Sequence, residues 1–296
     1  MTPAHNAPSL SVAFSPTLPQ SVGVLGGGRM GAGIAHAFLM AGCAVTVVER
    51  AADSAAGARN RVEAAVAKSV ERGLAGGTNG FLSRLAVSTD FAGFAACGLV
   101  VEAVPEVLEM KSSALRAVEQ QLAPGAFLAT NTSSLSITAL SAGLSRPELF
   151  LGLHFFNPVP ASALVEVVLG RQTTPALAAT AKGWVQALGK SAVVVNDSPG
   201  FASSRLGVAL ALEAMRMLEE GVSVAADIDA AMVLGYRHQT GPLRTTDLVG
   251  LDVRLEIAEY LAATLGQRFA PPQILRDKVA RGELGRKSGR GFFDWD

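Results

Sequence analysis

Apolar and polar positions along the first part of the chain follow two alternating patterns. Short β-branched apolar runs bounded by glycine, proline or acidic residues are typical of buried strands, and apolar residues at helical spacing are typical of helices. The predicted strands are 22–25, 44–48, 86–89, 99–104, 127–130, 149–156 and 164–168. Because helical segments separate most of these runs, the pattern predicts a doubly wound α/β sheet.

The rest of the chain shows the helical pattern alone. Helices are predicted over 197–221, 227–234 and 247–265, with Asp197 as the first N-cap and Pro199 in the first turn. These helices carry more apolar surface than one small core buries, which favours a homodimer. The alternative is that this surface packs on the preceding domain.

The glycines after the first predicted strand are spaced Gly26-x-Gly28-x-x-Gly31. In Rossmann-type dinucleotide sites the first glycine permits the turn, the second lets the pyrophosphate approach, and the third lets helix and strand pack closely. The phosphates bind the N–H groups at the start of the helix. Glu49 ends the second strand, where a carboxylate accepts hydrogen bonds from the adenosine ribose and favours NAD over NADP. Arg50 leaves this preference open, since its charge offsets part of the repulsion. The alternative is a glycine-rich turn that binds nothing.

We therefore expect three segments. A flexible tail covers 1–20, an NAD-binding Rossmann domain covers 21–196, and an all-α C-terminal domain for substrate binding and dimerisation covers 197–296.

The composition of the chain excludes some classes of binding partner. The chain has 296 residues, 49% of them hydrophobic, and a formal net charge of zero. No global basic field recruits nucleic acid or an anionic membrane, and no apolar run reaches the length of a membrane span. Cys43 and Cys97 are expected to be core thiols in a reducing compartment, and no metal is expected. The first 20 residues lack the features of a targeting signal, so a cytoplasmic protein is expected.

Polar residues follow two of the predicted strands. Glu106 comes after 99–104, and the polar stretch 131–134 comes after 127–130. Because an open parallel sheet binds ligands at the carboxyl ends of its strands, both are candidate ligand contacts. For 131–134 the alternative is capping of a helix predicted over 138–144.

Two basic segments have two interpretations each. Arg59, Arg61 and Lys68 lie on the helix predicted over 51–73, either as a solvated face or as contacts to a phosphorylated substrate carrier. The basic loop 286–291 either meets phosphate or is a solvated turn before a strand predicted over 292–295.

The segment 149–169 carries the candidate chemistry. If the two predicted strands fold back about Pro160, His154 and Glu166 are equidistant from the turn and face each other. Histidine is the residue that titrates near neutrality, so a histidine oriented by a carboxylate suits proton transfer from an alcohol as hydride leaves the same carbon. Asn157 lies beside this pair. The alternative for a lone histidine in an apolar strand is a buried packing role.

Several blocks of the chain resemble one family in order and over nearly all of 21–295. The blocks are VLGGGRMGAGIA, VVEAVPE, NTSSL, GLHFFNPVP, LVEVV, LGK, DSPGF and GRKSGRGFFDW. They are similar to the L-3-hydroxyacyl-CoA dehydrogenase family. The resemblance implies a Rossmann domain, a helical domain that forms a homodimer, and NAD-dependent, reversible oxidation of a 3-hydroxyacyl-CoA to the 3-ketoacyl-CoA, as in fatty acid β-oxidation.

The resemblance also implies roles for particular residues. His154 matches the catalytic base, Glu166 its orienting partner, Ser133 the serine at the substrate oxygen, and Asn157 a further position near it. Lys68 is a match to the region that contacts CoA. The cofactor set is Gly26, Gly28, Arg29, Met30, Gly31, Glu49, Glu106, Lys111 and Asn131.

Two positions depart from the family pattern. Ser204 precedes Arg205 where the family usually has a substrate-holding asparagine, and a serine hydroxyl lacks the amide's paired donor and acceptor. Arg244 stands where an apolar or acidic residue is common, which leaves acyl length preference open. The remaining alternatives are a related dehydrogenase of a sugar acid or carnitine, and a catalytically idle NAD-binding protein.

Overall fold

The computed structural model describes residues 15–73 and 77–296. Contacts divide the chain into two compact units, and the boundary along the sequence lies between Asp197 and Ser198. Residues 1–14 of the predicted tail lie outside the described residues. The rest of that segment packs on the first unit, where Trp184 Nε1 donates a hydrogen bond of 3.1 Å to the Thr17 carbonyl oxygen. The flexible tail over 1–20 stays a prediction.

The first unit is built on a single sheet of eight strands in the order β3-β2-β1-β4-β5-β6-β7-β8. All neighbours pair in parallel except β6 and β7, which are antiparallel. The strands are β1 (Ser21–Leu25), β2 (Ala44–Val48), β3 (Leu85–Ser88), β4 (Leu99–Glu102), β5 (Phe127–Thr130), β6 (Phe150–Phe155), β7 (Leu164–Leu169) and β8 (Ser191–Asn196). This is the Rossmann-type doubly wound sheet that the sequence predicts.

Helices connect the parallel strands because a parallel pair needs a crossover. They are α1 (Arg29–Met40), α2 (Ala52–Glu71), α3 (Thr78–Leu82), α4 (Leu108–Glu119), α5 (Ile137–Ser141) and α6 (Pro175–Ala187). The main core lies between the sheet and these helices, with fully buried Val24, Ile34 and Phe38 among its members. The predicted helix 138–144 is shorter than expected, and it is capped at Ser136, whose Oγ accepts from the Ala139 N–H.

The second unit, 198–296, contains α-helices and no β-strand. Its helices are α7 (Ser203–Glu219), α8 (Ala225–Tyr236), α9 (Pro242–Val249), α10 (Leu251–Leu265) and α11 (Gln273–Ala280). They enclose a core of their own that includes Leu212, Leu243 and Leu261. The all-α C-terminal domain is thus confirmed as a fold.

Three predicted elements of this region are wrong. The first helix does not begin at Asp197, because Gly200 at φ +73° and Phe201 at φ +50° form a turn that delays it to Ser203. The helix predicted over 247–265 breaks at Gly250, whose φ of +108° a helix cannot contain. In place of the expected strand 292–295, only Asp294 forms an isolated bridge, with Arg290.

Candidate active site

Three strands, β1, β4 and β5, end side by side at one edge of the sheet, and β6 continues past them. The registers align Leu25 with Glu102, Glu102 with Thr130, and Thr130 with Gly152. The glycine-rich turn, Glu106 and the polar stretch 131–134 follow these strand ends, and His154 lies on β6, two residues past the partner of Thr130. The structure thus brings the sequence-predicted residues of the first unit to a common edge, which is where such sheets bind ligands.

The glycine-rich turn has room for a dinucleotide on its outer side. A Cβ added at Gly28 would meet nothing within 4 Å, whereas one added at Gly31 would overlap the Gly26 carbonyl oxygen. Gly26 itself has a φ of +88°. Helix α1 begins here without a side-chain cap at Gly28, so its first N–H groups are directed at the open space. These features fit the pyrophosphate of NAD.

Glu49 lies against the same turn. Its Oε1 accepts a hydrogen bond of 2.6 Å from the Gly27 N–H, which holds the carboxylate at the end of β2. Arg61 Nη1 donates to the Gly27 carbonyl oxygen at 3.0 Å. Of the three basic residues considered on α2, Arg61 therefore contacts the turn, whereas Arg59 pairs with Glu63 and Lys68 is exposed. Arg29 and Met30 occupy the first turn of α1.

Glu106 organises the loop that follows β5. Its Oε1 accepts hydrogen bonds from the Thr132 hydroxyl, from the backbone N–H groups of Ser133 and Ser134 at 2.8 and 3.0 Å, and from both serine hydroxyls. Burial disfavours its ionised form, but the charge of Lys111 and these hydrogen bonds outweigh that effect and lower the pKa of Glu106. Ser133 is therefore held by an ionised carboxylate.

The side chain of Lys111 is buried and does not reach the surface. Its side chain is 1% exposed, and its Nζ donates to Glu102 Oε1 at 2.7 Å and to the Val104 carbonyl oxygen at 3.1 Å. Glu106 Oε2 lies 3.3 Å away. Three oxygens thus surround the ammonium group in a buried ion pair, and the cofactor contact through Lys111 stays a prediction.

The buried partner Glu102 was not singled out as a functional residue by the sequence. Its Oε2 accepts a hydrogen bond of 2.6 Å from the Thr130 hydroxyl, which links the ends of β4 and β5. A sequence signal existed, since an acidic residue interrupts the apolar run of β4 and a lysine follows on the next helix.

Asn131 connects the loop after β5 to β6. Its Oδ1 accepts a hydrogen bond of 2.9 Å from the Phe155 N–H, beyond the last paired residues of β5 and β6. The Asn131 N–H itself donates to the Glu102 carbonyl oxygen. Asn131, a predicted cofactor contact, therefore also holds the backbone of Phe155, the residue next to His154.

The imidazole of His154 is paired with the carboxylate of Glu166. The antiparallel register places the two residues opposite each other, as the hairpin argument predicts, and His154 Nδ1 lies 2.8 Å from Glu166 Oε2. Both are buried, at 6% and 0% exposure. The Phe156 ring packs on the imidazole with a centroid distance of 4.4 Å. A buried carboxylate at this distance fixes the ring orientation and stabilises the imidazolium.

The other candidate residues lie at more exposed positions. Asn157 is exposed in the turn between β6 and β7. Ser204 lies in the first turn of α7, within the second unit. Across the described ranges 15–73 and 77–296, no cluster of histidine, cysteine and acidic residues could hold a metal ion. The same ranges contain no helix that is long and apolar enough to cross a membrane.

The fold and this edge of the sheet define the class of NAD-dependent oxidoreductases. Residues 21–198 match the NAD-binding domain of 3-hydroxyacyl-CoA dehydrogenase, and residues 200–295 match the C-terminal domain of the same family. The chain belongs to the 3-hydroxyacyl-CoA dehydrogenase family.

Relatives and solved structures agree with this assignment. The chain is 39% identical to a probable 3-hydroxybutyryl-CoA dehydrogenase of Deinococcus radiodurans, over 92% of this chain and 99% of the relative. It is 40% identical to a 3-hydroxybutyryl-CoA dehydrogenase of Mycobacterium tuberculosis, over 93% of this chain and 98% of the relative. The crystal structure of (S)-3-hydroxybutyryl-CoA dehydrogenase from Ralstonia eutropha is similar with a TM-score of 0.89 and 34% identity, over 94% of this chain and 99% of that one.

Proposed function

We propose that this chain catalyses the reversible, NAD-dependent oxidation of a short-chain (S)-3-hydroxyacyl-CoA, such as 3-hydroxybutyryl-CoA, to the 3-ketoacyl-CoA. The observation that carries the proposal is the buried His154–Glu166 pair, with 2.8 Å between Nδ1 and Oε2, at the same sheet edge as the open glycine-rich turn. The names of the full-length relatives support the substrate class.

Each polar group at this edge has a role in the proposed reaction. His154 takes the proton of the 3-hydroxyl group through Nε2, because Glu166 engages Nδ1. Glu166 orients the ring and stabilises its protonated form. The hydroxyl of Ser133 and the amide of Asn157 position the substrate oxygen. When NAD is bound, it supplies the hydride acceptor.

For the cofactor we propose backbone contacts at Gly26, Gly28, Arg29, Met30 and Gly31, with Glu49 at the adenosine ribose. Glu106 and Asn131 complete the nicotinamide side. For Lys111 we propose an indirect contribution, because its ammonium group is already surrounded by Glu102, Glu106 and the Val104 carbonyl oxygen. It fixes the acidic residues that shape this part of the site.

For the substrate we propose contacts from Ser204 and from Lys68. Lys68 is exposed on α2, where its charge is available to the phosphates of CoA. Ser204 offers one hydroxyl where the family pattern has a longer amide, so we expect a looser hold on the acyl-thioester than in relatives that carry asparagine.

For the assembly we propose a homodimer in the cytoplasm, formed through the helical domain over 197–296. Large apolar side chains of this unit are exposed in the single chain, at 70% for Leu206, 80% for Leu234 and 75% for Tyr236. A contiguous patch of exposed apolar side chains marks an association surface, and these residues are the candidates for one. Analytical ultracentrifugation tests the dimer: a sedimentation coefficient of the monomer at micromolar concentration would contradict it.

Oxidation of a panel of alcohols with NAD tests the proposed reaction. We expect NADH formation with (S)-3-hydroxybutyryl-CoA, and none with its (R) isomer, free 3-hydroxybutyrate, L-gulonate or carnitine. Oxidation of gulonate or carnitine in place of the thioester would identify a related dehydrogenase. Tight NADH binding without oxidation of any member of the panel would support an idle NAD-binding protein and contradict the proposal.

A further inference from the structure

The turn that joins β6 and β7 determines how His154 and Glu166 meet. It runs from Phe156 to Ala163 and carries Asn157. Inside it, the N–H groups of Ala161 and Ser162 both donate to the Pro158 carbonyl oxygen at 3.0 Å. A displacement of this turn changes the relative position of the two strands and hence the alignment of the imidazole with the carboxylate.

Lys190 reaches into this turn from the residue before β8. Its Nζ donates to the Val159 carbonyl oxygen at 2.7 Å and to the Ser162 carbonyl oxygen at 2.6 Å. Burial lowers the pKa of this ammonium group, and no neighbouring carboxylate of the described residues offsets that effect. Two carbonyl dipoles that converge on one point repel each other, and a cation between them reverses that repulsion. Lys190 therefore stabilises the folded form of the turn through charge-assisted hydrogen bonds.

The outer side of the same turn is fixed by helix α1. Val159 is 2% exposed, and a Cβ added at Gly33 would lie 2.9 Å from its side chain, so helix and turn are in close contact. His36, one turn further along α1, bonds Ser69 Oγ at 2.8 Å. Burial and the nearby charge of Lys190 lower the pKa of His36, which keeps this histidine neutral beside the ammonium group. The turn is thus contacted on one side by Lys190 and on the other by α1, the helix that begins at the glycine-rich turn.

We propose that Lys190 is a positioning residue for the catalytic pair, acting through the Val159 and Ser162 carbonyl groups to hold the turn between His154 and Glu166. This rests on the proposed function, in which His154 is the base. The effect of Lys190 is on the rate of the chemical step, since its contacts lie on the hairpin and not on the glycine-rich turn.

The substitution Lys190→Met tests the proposal, because it keeps the length of the side chain and removes the ammonium group. We expect kcat for acetoacetyl-CoA reduction to fall at least tenfold, since small misplacements of catalytic groups cost up to about a hundredfold. We expect the Kd of NADH, measured by its fluorescence, to stay within twofold. Lys190→Arg restores a cation and should recover most of kcat. Lys182→Met, an exposed lysine on α6, is the matched control and should match the wild type.

A second measurement does not depend on turnover. Proton NMR in water detects the imidazole N–H of a buried histidine–carboxylate bond as a downfield resonance, and Glu166→Gln identifies the one that belongs to His154. We expect this resonance to shift or broaden in Lys190→Met and to return in Lys190→Arg.

Wild-type kcat with an unshifted resonance in Lys190→Met would overturn the inference. Equal losses of kcat, NADH binding and melting temperature in both Lys190 variants would also overturn it, because they indicate general support of the fold. If the wild type lacks activity but the resonance changes as expected, the proposed reaction fails while the positioning role stands.

Discussion

The two halves of the sheet edge use different groups for recognition. At the glycine-rich turn, the polar surface is the backbone, with Gly28 open to solvent and the N–H groups of α1 uncapped by a side chain. At the β6–β7 hairpin, two buried side chains, His154 and Glu166, are hydrogen-bonded to each other. Adding atoms at the glycine-rich turn should therefore weaken binding by its backbone groups. At the hairpin, removing atoms from a paired side chain should lower the reaction rate.

The largest expected effect concerns the hairpin. Replacing His154 with alanine removes the proposed general base, and general-base catalysis contributes about 10²–10⁴ in rate. We expect kcat to fall by this factor while the Kd of NADH changes by less than twofold, because the glycine-rich turn is untouched. His238→Ala, at an exposed histidine of the second unit, is the control and should keep wild-type kcat. An unchanged rate in His154→Ala would remove this residue from the mechanism.

The converse experiment adds one methyl group at each of two glycines. Gly31→Ala places a Cβ on the Gly26 carbonyl oxygen, so we expect both a destabilisation of about 1–3 kcal/mol and weaker NADH binding. Gly28→Ala meets no protein atom within 4 Å, so we expect an unchanged melting temperature with weaker NADH binding. Calorimetry and fluorescence titration separate the two effects. If Gly28→Ala binds NADH as the wild type does, the pyrophosphate does not lie at this turn.

We expect the loop held by Glu106, which follows β5, to respond to pH. We expect Glu106→Gln to lower kcat/KM roughly tenfold, because Ser133 loses its ionised acceptor. A carboxyl whose pKa is lower in the folded chain stabilises the fold above its unfolded-state pKa, which is about 4.3 for glutamate. That contribution disappears as the pH falls through the lower folded-state pKa.

Melting temperatures measured between neutral and acidic pH check this expectation. The wild type should lose more stability below about pH 4 than Glu106→Gln, which carries no titrating group at this position. Parallel pH profiles for the two proteins would mean that Glu106 is not linked to folding. Glu109→Gln, an exposed acid on α4, controls for the change in net charge.

The smallest expected effect concerns the choice of cofactor. Glu49→Gln should lower the ratio of the NADPH to the NADH dissociation constant about fivefold, equivalent to ~1 kcal/mol, since a neutral side chain no longer repels a 2′-phosphate. Glu63→Gln, an exposed acid on α2, should leave the ratio unchanged. A wild type that binds both cofactors equally would show that Arg50 and Arg61 offset the charge of Glu49.

The comparison of the two regions also explains which features were predictable. The glycine spacing and the opposed positions of His154 and Glu166 follow from strand periods and local turns, so the sequence alone indicates them. Lys111 was placed in the predicted cofactor set, and its burial was not predicted. Its burial depends on Glu102 and the Val104 carbonyl oxygen, which are brought to it only by tertiary packing.

Other misses have a similar cause. Asp197 has the local signature of an N-cap for α7, yet its Oδ2 accepts from the Ser136 hydroxyl and the Thr138 N–H of a helix distant in sequence. The apolar period continues across Gly250, so the break between α9 and α10 is visible only through its backbone angle. The contacts of Lys190 are with backbone carbonyl groups, so the pattern of side chains along the sequence does not predict them.

The most direct test of the account is the consumption of NADH by the wild-type chain with acetoacetyl-CoA, beside free acetoacetate and with NADPH as the alternative donor. The account predicts rapid oxidation of NADH with the thioester alone and much slower oxidation of NADPH. Tight binding of NADH without any reaction of acetoacetyl-CoA would contradict the proposed 3-hydroxyacyl-CoA dehydrogenase activity.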